Sequence, residues 1–391
     1  MESSKKISLA VVCNILGHGN TYDEWSTSFV IAMSKIDYLA AIHLIVPPGY
    51  WPYPSKLPDI CSIHQLLDYV HPISMLKVPG LLSKLQCDAV VFVSGPTAFG
   101  PGNVSNFIGM VLPYLIKVLS KKKVAVINQG SSYTHDVSSL GYDGLRNFLK
   151  MRFLMLLERF IFGRVKTYFQ LRFYADIIEK RLGKRYIAGI LPSDFIDPVA
   201  ALYLNDLLEK DYVKRSINGE SIRILLHGFW GPQKSPEVAL KAVKAAKEKH
   251  NNISLTVSGG INTHFPNYKE YFERLLQKYG DVVDHYLGYV DEIKLPDLFL
   301  THQIVLMPYG SSGGQSGVLE TASFFENVVV CTDFPEFREE KKSDLVVLTD
   351  LVDFDQSLLK AFDMIKDMPS IINVKNKVQT IVNNIKNFLA D

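Results

Sequence analysis

The sequence is poor in cysteine and carries almost no net charge. Four cysteines stand among 391 residues, Cys13, Cys61, Cys87 and Cys331, and no two form a C-x-x-C pair. That scatter argues against a disulfide framework or a cysteine-based zinc site and fits a reducing cytoplasm. Lys and Arg number 42 against 40 Asp and Glu, a net charge of +2, too small for a chain that coats nucleic acid. Long apolar runs are missing as well: none reaches the roughly 18 residues of a membrane-spanning helix. Lys5-Lys6 ahead of the apolar run 7–16 mimics a secretory leader. That run ends in Gly17-His18-Gly19-Asn20 without a small-residue cleavage pattern, and it reads as a first buried strand. Low-complexity tracts and short-period repeats are also absent. The expected setting is a soluble protein, or one that sits on a membrane surface without crossing it.

What is present is ordinary globular composition, 47% hydrophobic and 21% charged. The length exceeds one core and predicts two or three domains. Charge is divided unevenly: residues 1–219 hold 24 basic and 17 acidic residues (net +7), and 220–391 hold 18 and 23 (net −5). The first half is therefore expected to face an anionic partner. Short apolar runs alternate with longer helical periodicities, which predicts parallel α/β architecture. Strands are expected at 8–16, 41–46, 89–94, 124–128 and 167–170, then at 222–227, 254–258, 283–287, 304–308, 328–332 and 345–348. Helices are expected between them, for example over 27–34 and 104–119. The restart of this pattern predicts two doubly wound domains, 1–195 and 220–370, joined through 191–221. A helical stripe at 371–391 is expected to rejoin the first domain.

Ligands of open parallel sheets bind in loops at the carboxyl ends of the strands, and three such loops stand out. Gly17-His18-Gly19 follows the first strand, where small residues let backbone approach a ligand. A dinucleotide fingerprint would need glycine where Tyr22 stands, so that cofactor is not supported. Gly228-Phe229-Trp230-Gly231-Pro232-Gln233-Lys234 precedes a helix predicted to begin with Ser235 as N-cap and Pro236 at its first position. A lysine at such an entrance adds its charge to the helix dipole and suits a phosphate. The bland reading makes it one more solvated lysine beside Lys241, Lys244, Lys247 and Lys249. Met307 to Glu320 is the richest stretch: Gly310, Gly313, Gly314 and Gly317 with several hydroxyls lead into a helix predicted to start near Ser316. It has the makings of an anion cradle, with the N–H groups of Gly317 and Val318 outward. Glu320, one turn in, could accept from sugar hydroxyls, or could merely be an acid favoured by the dipole.

Gly310-Ser311-Ser312-Gly313-Gly314 also fits the G-x-S-x-G elbow of hydrolases, but no histidine follows His302 to complete a triad. Asp353-Phe354-Asp355 imitates a metal-binding D-x-D far from these loops. No His and carboxylate cluster offers a better metal site, and none is expected.

Four segments in order, 224–243, 255–260, 285–290 and 305–339, resemble the donor domain of retaining GT-B glycosyltransferases, family 4. The first half resembles the matching acceptor domain more loosely, through Gly17–Gly19, the loop after Asn128 and residues 189–194. The resemblance implies a GT-B fold and transfer of a sugar from a nucleoside diphosphate sugar to an acceptor hydroxyl, with no metal and no other cofactor. It gives Lys234 the donor diphosphate, Glu320 the nucleotide ribose, and the N–H groups of Gly317 and Val318 the phosphates. Tyr289 and Val290 would read the nucleobase edge, while Gly17 and Gly19 would approach the donor phosphates. Gly314 and Ser316 belong to the same donor loop. Three departures stand against the family pattern. Phe229 replaces an arginine, so a charge is missing or comes from elsewhere, from Arg338 or from a base of the first domain. Ser312 replaces the first of two paired glutamates, with Gln315 as its stand-in at the sugar hydroxyls. Gln129 replaces a histidine, with His135 a few residues on as the catalytic alternative. These departures motivate the rival reading of a non-catalytic nucleotide-sugar binder or partner subunit, and a GT-B sugar-nucleotide epimerase is a second rival.

Residues 145–174 hold seven basic side chains, Arg146, Lys150, Arg152, Arg159, Arg164, Lys166 and Arg172, among aromatic and aliphatic residues, opposed only by Glu158. Such a segment suits an anionic membrane surface, or is a core helix followed by a strand, with its charges in solvent. The first reading predicts a peripheral protein on the cytoplasmic membrane face that acts on a lipid-linked or phosphate-bearing glycan precursor.

Overall fold

The computed structural model describes residues 6–15, 21–49, 57–95, 98–99, 102–133, 144–192, 194–217, 221–262, 265–311 and 315–391. Gly17, Gly19, His135, Ser312 and Gly314 lie outside the described residues.

The chain divides into two compact units. The first takes in Met1–Val137, Asp143–Ala200 and Gln379–Asp391, and the second Ser138–Tyr142 and Ala201–Val378.

In the first unit the elements run β1 (Ile7–Val12), α1 (Thr21–Met33), β2 (Leu39–Val46), β3 (Cys61–Gln65), α2 (Val78–Lys84), β4 (Ala89–Ser94), α3 (Asn103–Ser120), β5 (Lys123–Asn128), α4 (Leu145–Phe162), β6 (Lys166–Phe169), α5 (Arg172–Leu182) and β7 (Gly189–Ile190). The strands form one parallel sheet in the order β3-β2-β1-β4-β5-β6-β7. The order reverses between β1 and β4, which creates a crevice at their carboxyl ends. The central strands are almost continuous apolar runs because helices cover both sheet faces. The basic stretch 145–174 is not one helix: it comprises α4, β6 and the start of α5.

The connection into the second unit contains α6 (Val199–Leu204) and β8 (Tyr212–Lys214). There follow β9 (Ile222–His227), α7 (Pro236–Lys247), β10 (Ile253–Ser258), α8 (Tyr268–Lys278), β11 (His285–Tyr286), α9 (Leu295–Thr301), β12 (Ile304–Met307), α10 (Gly317–Phe324), β13 (Val328–Thr332), α11 (Pro335–Glu340), β14 (Val346–Thr349), α12 (Phe354–Met364), β15 (Ile371–Asn373) and α13 (Val374–Ala390). Six of these strands make a second parallel sheet, β11-β10-β9-β12-β13-β14, with its switch point between β9 and β12. Its core joins Leu226, Leu255, Leu306 and Val330 of the strands to Leu240 and Val243 of α7 and Leu358 of α12. β8 and β15 pair antiparallel as a separate ribbon.

The strand expected over 8–16 ends at Val12, and the one expected over 283–287 shrinks to His285–Tyr286. In the first the apolar run continues past the last ladder partner, and in the second the ladder takes up only two residues of the expected stretch. The first turn of the stripe over 371–391 is taken by β15.

Candidate functional site

The two loops that leave the second switch point, β9 to α7 and β12 to α10, are in direct contact. Gly310 N donates to Gln233 O at 2.8 Å. A Cβ on Gly310 would sit 2.7 Å from Ser235 Oγ, a side-chain hydroxyl that can rotate away. Lys234 ends a single 3-10 turn, Pro232–Lys234, and Ser235 then adopts a left-handed conformation (φ 41°) before α7 begins at Pro236. Ser235 occupies the N-cap position as expected, yet its side chain makes no capping bond, because left-handed backbone turns the hydroxyl away from the first N–H groups.

Lys234 is half-buried as a residue, and its Nζ lies 3.3 Å above the centroid of the Tyr309 ring. The ring supplies a weak cation–π partner. No described carboxylate pairs with the ammonium, and burial pushes its pKa down to about 7. Burial and the charge of Lys234 push the neighbouring His227 down to about 4, with His227 Nδ1 2.8 Å from Ser258 Oγ. Lys234 thus differs from Lys241 and Lys244, which sit exposed in ion pairs with Glu237 and Asp281.

At α10, Ser316 is the N-cap and its hydroxyl accepts from Leu319 N at 3.4 Å. Ser316 N itself donates to the buried carboxylate of Glu340, at 3.1 and 3.3 Å. Gly317 and Val318 open the helix, and their N–H groups have no intrahelical acceptor at that position. Glu320 is buried and accepts from Gln315 Nε2, so these two assigned residues form one pair.

Three strand ends meet beside the lysine loop. Gly259 has φ +113°, and a Cβ there would fall 1.8 Å from Gly228 O. Gly259 N donates to Gly288 O, and Trp230 N to Gly260 O. Over this close-packed backbone lie the rings of Phe229 and Tyr289, with centroids 6.4 Å apart and Tyr289 59% exposed. Val290 is buried. Phe229, in the arginine's place, therefore belongs to an aromatic pair. Arg338, one source expected for the lost charge, holds Asp333 through two bonds of 2.6 and 2.7 Å.

In the first unit, the loop after β5 is tied down by Glu158 of α4. Its buried carboxylate accepts from Ser131 Oγ at 2.8 Å and from Ser132 N at 3.0 and 3.1 Å. Burial pushes its pKa up to about 7. Of the first-unit site residues, Gly17, Gly19 and His135 lie outside the described residues, as do Ser312 and Gly314 of the donor loop. The structure adds Glu158 and Glu340, which sequence reasoning did not single out as loop supports. Among the described residues no group of three or more His, Cys, Asp or Glu is arranged to hold a metal ion.

By sequence the chain matches no protein-family model and no curated protein. By structure it resembles HepE of Anabaena, solved in complex with UDP and glucose, at a TM-score of 0.63 and 11% identity over 98% of this chain and 99% of that one. Sucrose-phosphate synthase from Thermosynechococcus elongatus aligns at 0.66 and 10% over 98% of each chain. A glycosyltransferase from Rickettsia africae aligns at 0.60 and 14% over 98% and 94%. The fold is GT-B. Identities this low carry the architecture alone.

Proposed function

We propose that the chain transfers a sugar from a nucleoside diphosphate sugar to an acceptor hydroxyl, with retention at the anomeric carbon and without a metal ion. The observation that carries this reading is the Lys234 ammonium: half-buried over the Tyr309 ring, free of any described carboxylate, and on a loop that bonds the loop leading into α10 at a switch point. A leaving diphosphate supplies the negative charge that this arrangement lacks, and preorganised donors in an enclosed site stabilise charge most where it develops. Lys234 and the N–H groups of Gly317 and Val318 take the diphosphate. Glu320, oriented by Gln315, holds the ribose, and Tyr289 and Val290 face the nucleobase. The carbon–oxygen bond to the phosphate breaks, the acceptor oxygen bonds on the same face, and its proton passes to the leaving phosphate oxygen. Residues 220–370 are the donor domain and 1–195, with 371–391, the acceptor domain. Gly17, Gly19, Ser312, Gly314 and His135 complete the set. The acceptor is a lipid-linked or phosphate-bearing glycan precursor at the cytoplasmic membrane face. HepE, whose structures hold UDP or UDP-glucose, supports the choice of donor class.

One observation favours a second reading, a nucleotide-sugar binder without turnover: an aromatic ring at 229, with Arg338 committed to Asp333. A thermal-shift panel of nucleotide sugars followed by product analysis separates the two. An enzyme is stabilised by one donor and transfers or slowly hydrolyses it; a binder is stabilised and leaves it intact. An anomerically inverted early product by proton NMR would contradict retention.

A further inference from the structure

Helix α4 is apolar on two opposite sides. Leu154, Ile161 and Phe162 face the interior and are buried. Leu145, Leu149, Phe153 and Leu156 are 73, 58, 51 and 66% exposed. At about 100° per residue these four fall within an arc of roughly 80°. Arg152 and Arg159 flank the arc on one side, and Arg146 and Lys150 on the other. All four basic residues are exposed. Phe148, 51% exposed, lies beyond Arg152, whose guanidinium stands 5.2 Å from its ring centroid. The one acid of the helix, Glu158, is on the interior side under Ser131 and Ser132 and neutralises none of this. Helix α3 extends the patch: Phe107 and Val104 are exposed, and the Phe107 ring stacks on Phe153 at 5.8 Å. Contiguous exposure of this kind marks an interaction surface.

We propose that this outer face of α4, with the adjoining turn of α3, docks on an anionic lipid bilayer. The apolar side chains are exposed along one side of the helix, which suits entry into a headgroup layer. Basic residues on both flanks can keep their charges at phosphate level while their stems lie along the acyl boundary. Charge complementarity singles out the lipid: Arg146, Lys150, Arg152 and Arg159 are exposed on a helix whose one acid is buried, within a stretch 1–219 of net +7 (24 basic, 17 acidic). Arg164 and Lys166 do not belong to this face. They line a separate cavity of about 520 Å³ with Lys117 and Arg185, and Lys166 Nζ donates to Asp391 O at 2.7 Å. The surface stands independently of the donor chemistry proposed above.

The test is sedimentation of the full chain with phosphatidylcholine vesicles, with and without phosphatidylglycerol, at low and high salt. Binding should require the anionic lipid and fall with salt, each basic residue contributing about fivefold. Changing Arg146, Lys150 and Arg152 together to Glu should cost about tenfold or more. Changing Leu149, Phe153 and Leu156 together to Ser should do the same with every charge in place. Lys166→Glu should leave binding unchanged. Circular dichroism and nucleotide-induced thermal stabilisation, both expected to match wild type, verify that the variants fold, and they separate failure of this surface from failure of the donor site. Wild type that ignores anionic vesicles, or a folded serine variant that binds as well as wild type, would overturn the proposal. So would a dimer in sedimentation velocity that the serine variant abolishes without any vesicle binding, which would make the stripe a self-association face.

Discussion

Burial depresses the pKa of Lys234, and that has a consequence for binding. With the ammonium titrating near pH 7 in the free protein, a diphosphate that pairs with it raises the pKa and draws in a proton. Donor affinity is therefore expected to fall as pH rises above 7, and calorimetry at pH 8 in buffers of different ionisation heat should show proton uptake. Buffer-independent heats would contradict the pairing. Stability follows the same shifts with opposite signs. The lowered Lys234 means the unfolded state holds more protons between about 7 and 10.5, so this residue's penalty is full below 7 and fades as pH rises. The raised Glu158 means the folded state holds more protons between 4.5 and about 7, so its contribution is lost as pH rises through 7. Glu158→Gln should flatten the stability profile in that interval, as measured by denaturant midpoints; an unchanged slope would count against a neutral Glu158. Lys234 and Glu320 could be singled out from the sequence because each stands beside a turn. Glu158 and Glu340 could not, since the backbone they support lies 26 and 24 residues away.

Elements were legible where burial is two-sided. Val328–Thr332 and Ile304–Met307 are wholly buried, and their unbroken apolar runs announce strands. β3 was missed because an edge strand reading Cys-Ser-Ile-His-Gln is half solvated and has no such run. β8 and β15 are three residues each and form only through one another. Helix α4 was ambiguous for a physical reason: periodicity registers that a helix has two apolar faces but not which one the fold covers. Close backbone approach is likewise invisible before the loops are assembled, and Gly259 shows its cost. Gly259→Ala adds a Cβ 1.8 Å from Gly228 O at φ +113°. It is expected to lose about 2–3 kcal/mol or more in chemical denaturation and to weaken nucleotide binding. Gly80→Ala, in α2 with open space around it, should be neutral or gain up to about 1 kcal/mol. Equal effects at the two positions would remove the claim that backbone contact shapes this site.

At the scale of the molecule, both sheets run outward from a central first strand and reverse at its neighbour, β1/β4 and β9/β12. The alternation of strands and helices in the sequence implied parallel sheets, but not the order within them, because order is set by which crossovers pack. The order matters, since it brings the lysine loop and the glycine loop to adjacent strand ends 70-odd residues apart in the chain, where Gly310 bonds Gln233. The central claim is that this junction holds a nucleoside diphosphate through Lys234. Calorimetric titration of wild type and Lys234→Ala with nucleoside diphosphate, at pH 6.5 to keep the ammonium charged, tests it most directly. The variant should lose about 2–3 kcal/mol, roughly 30- to 150-fold in Kd, with its thermal midpoint unchanged or raised. A folded Lys234→Ala protein that binds the nucleotide as tightly as wild type would contradict the account.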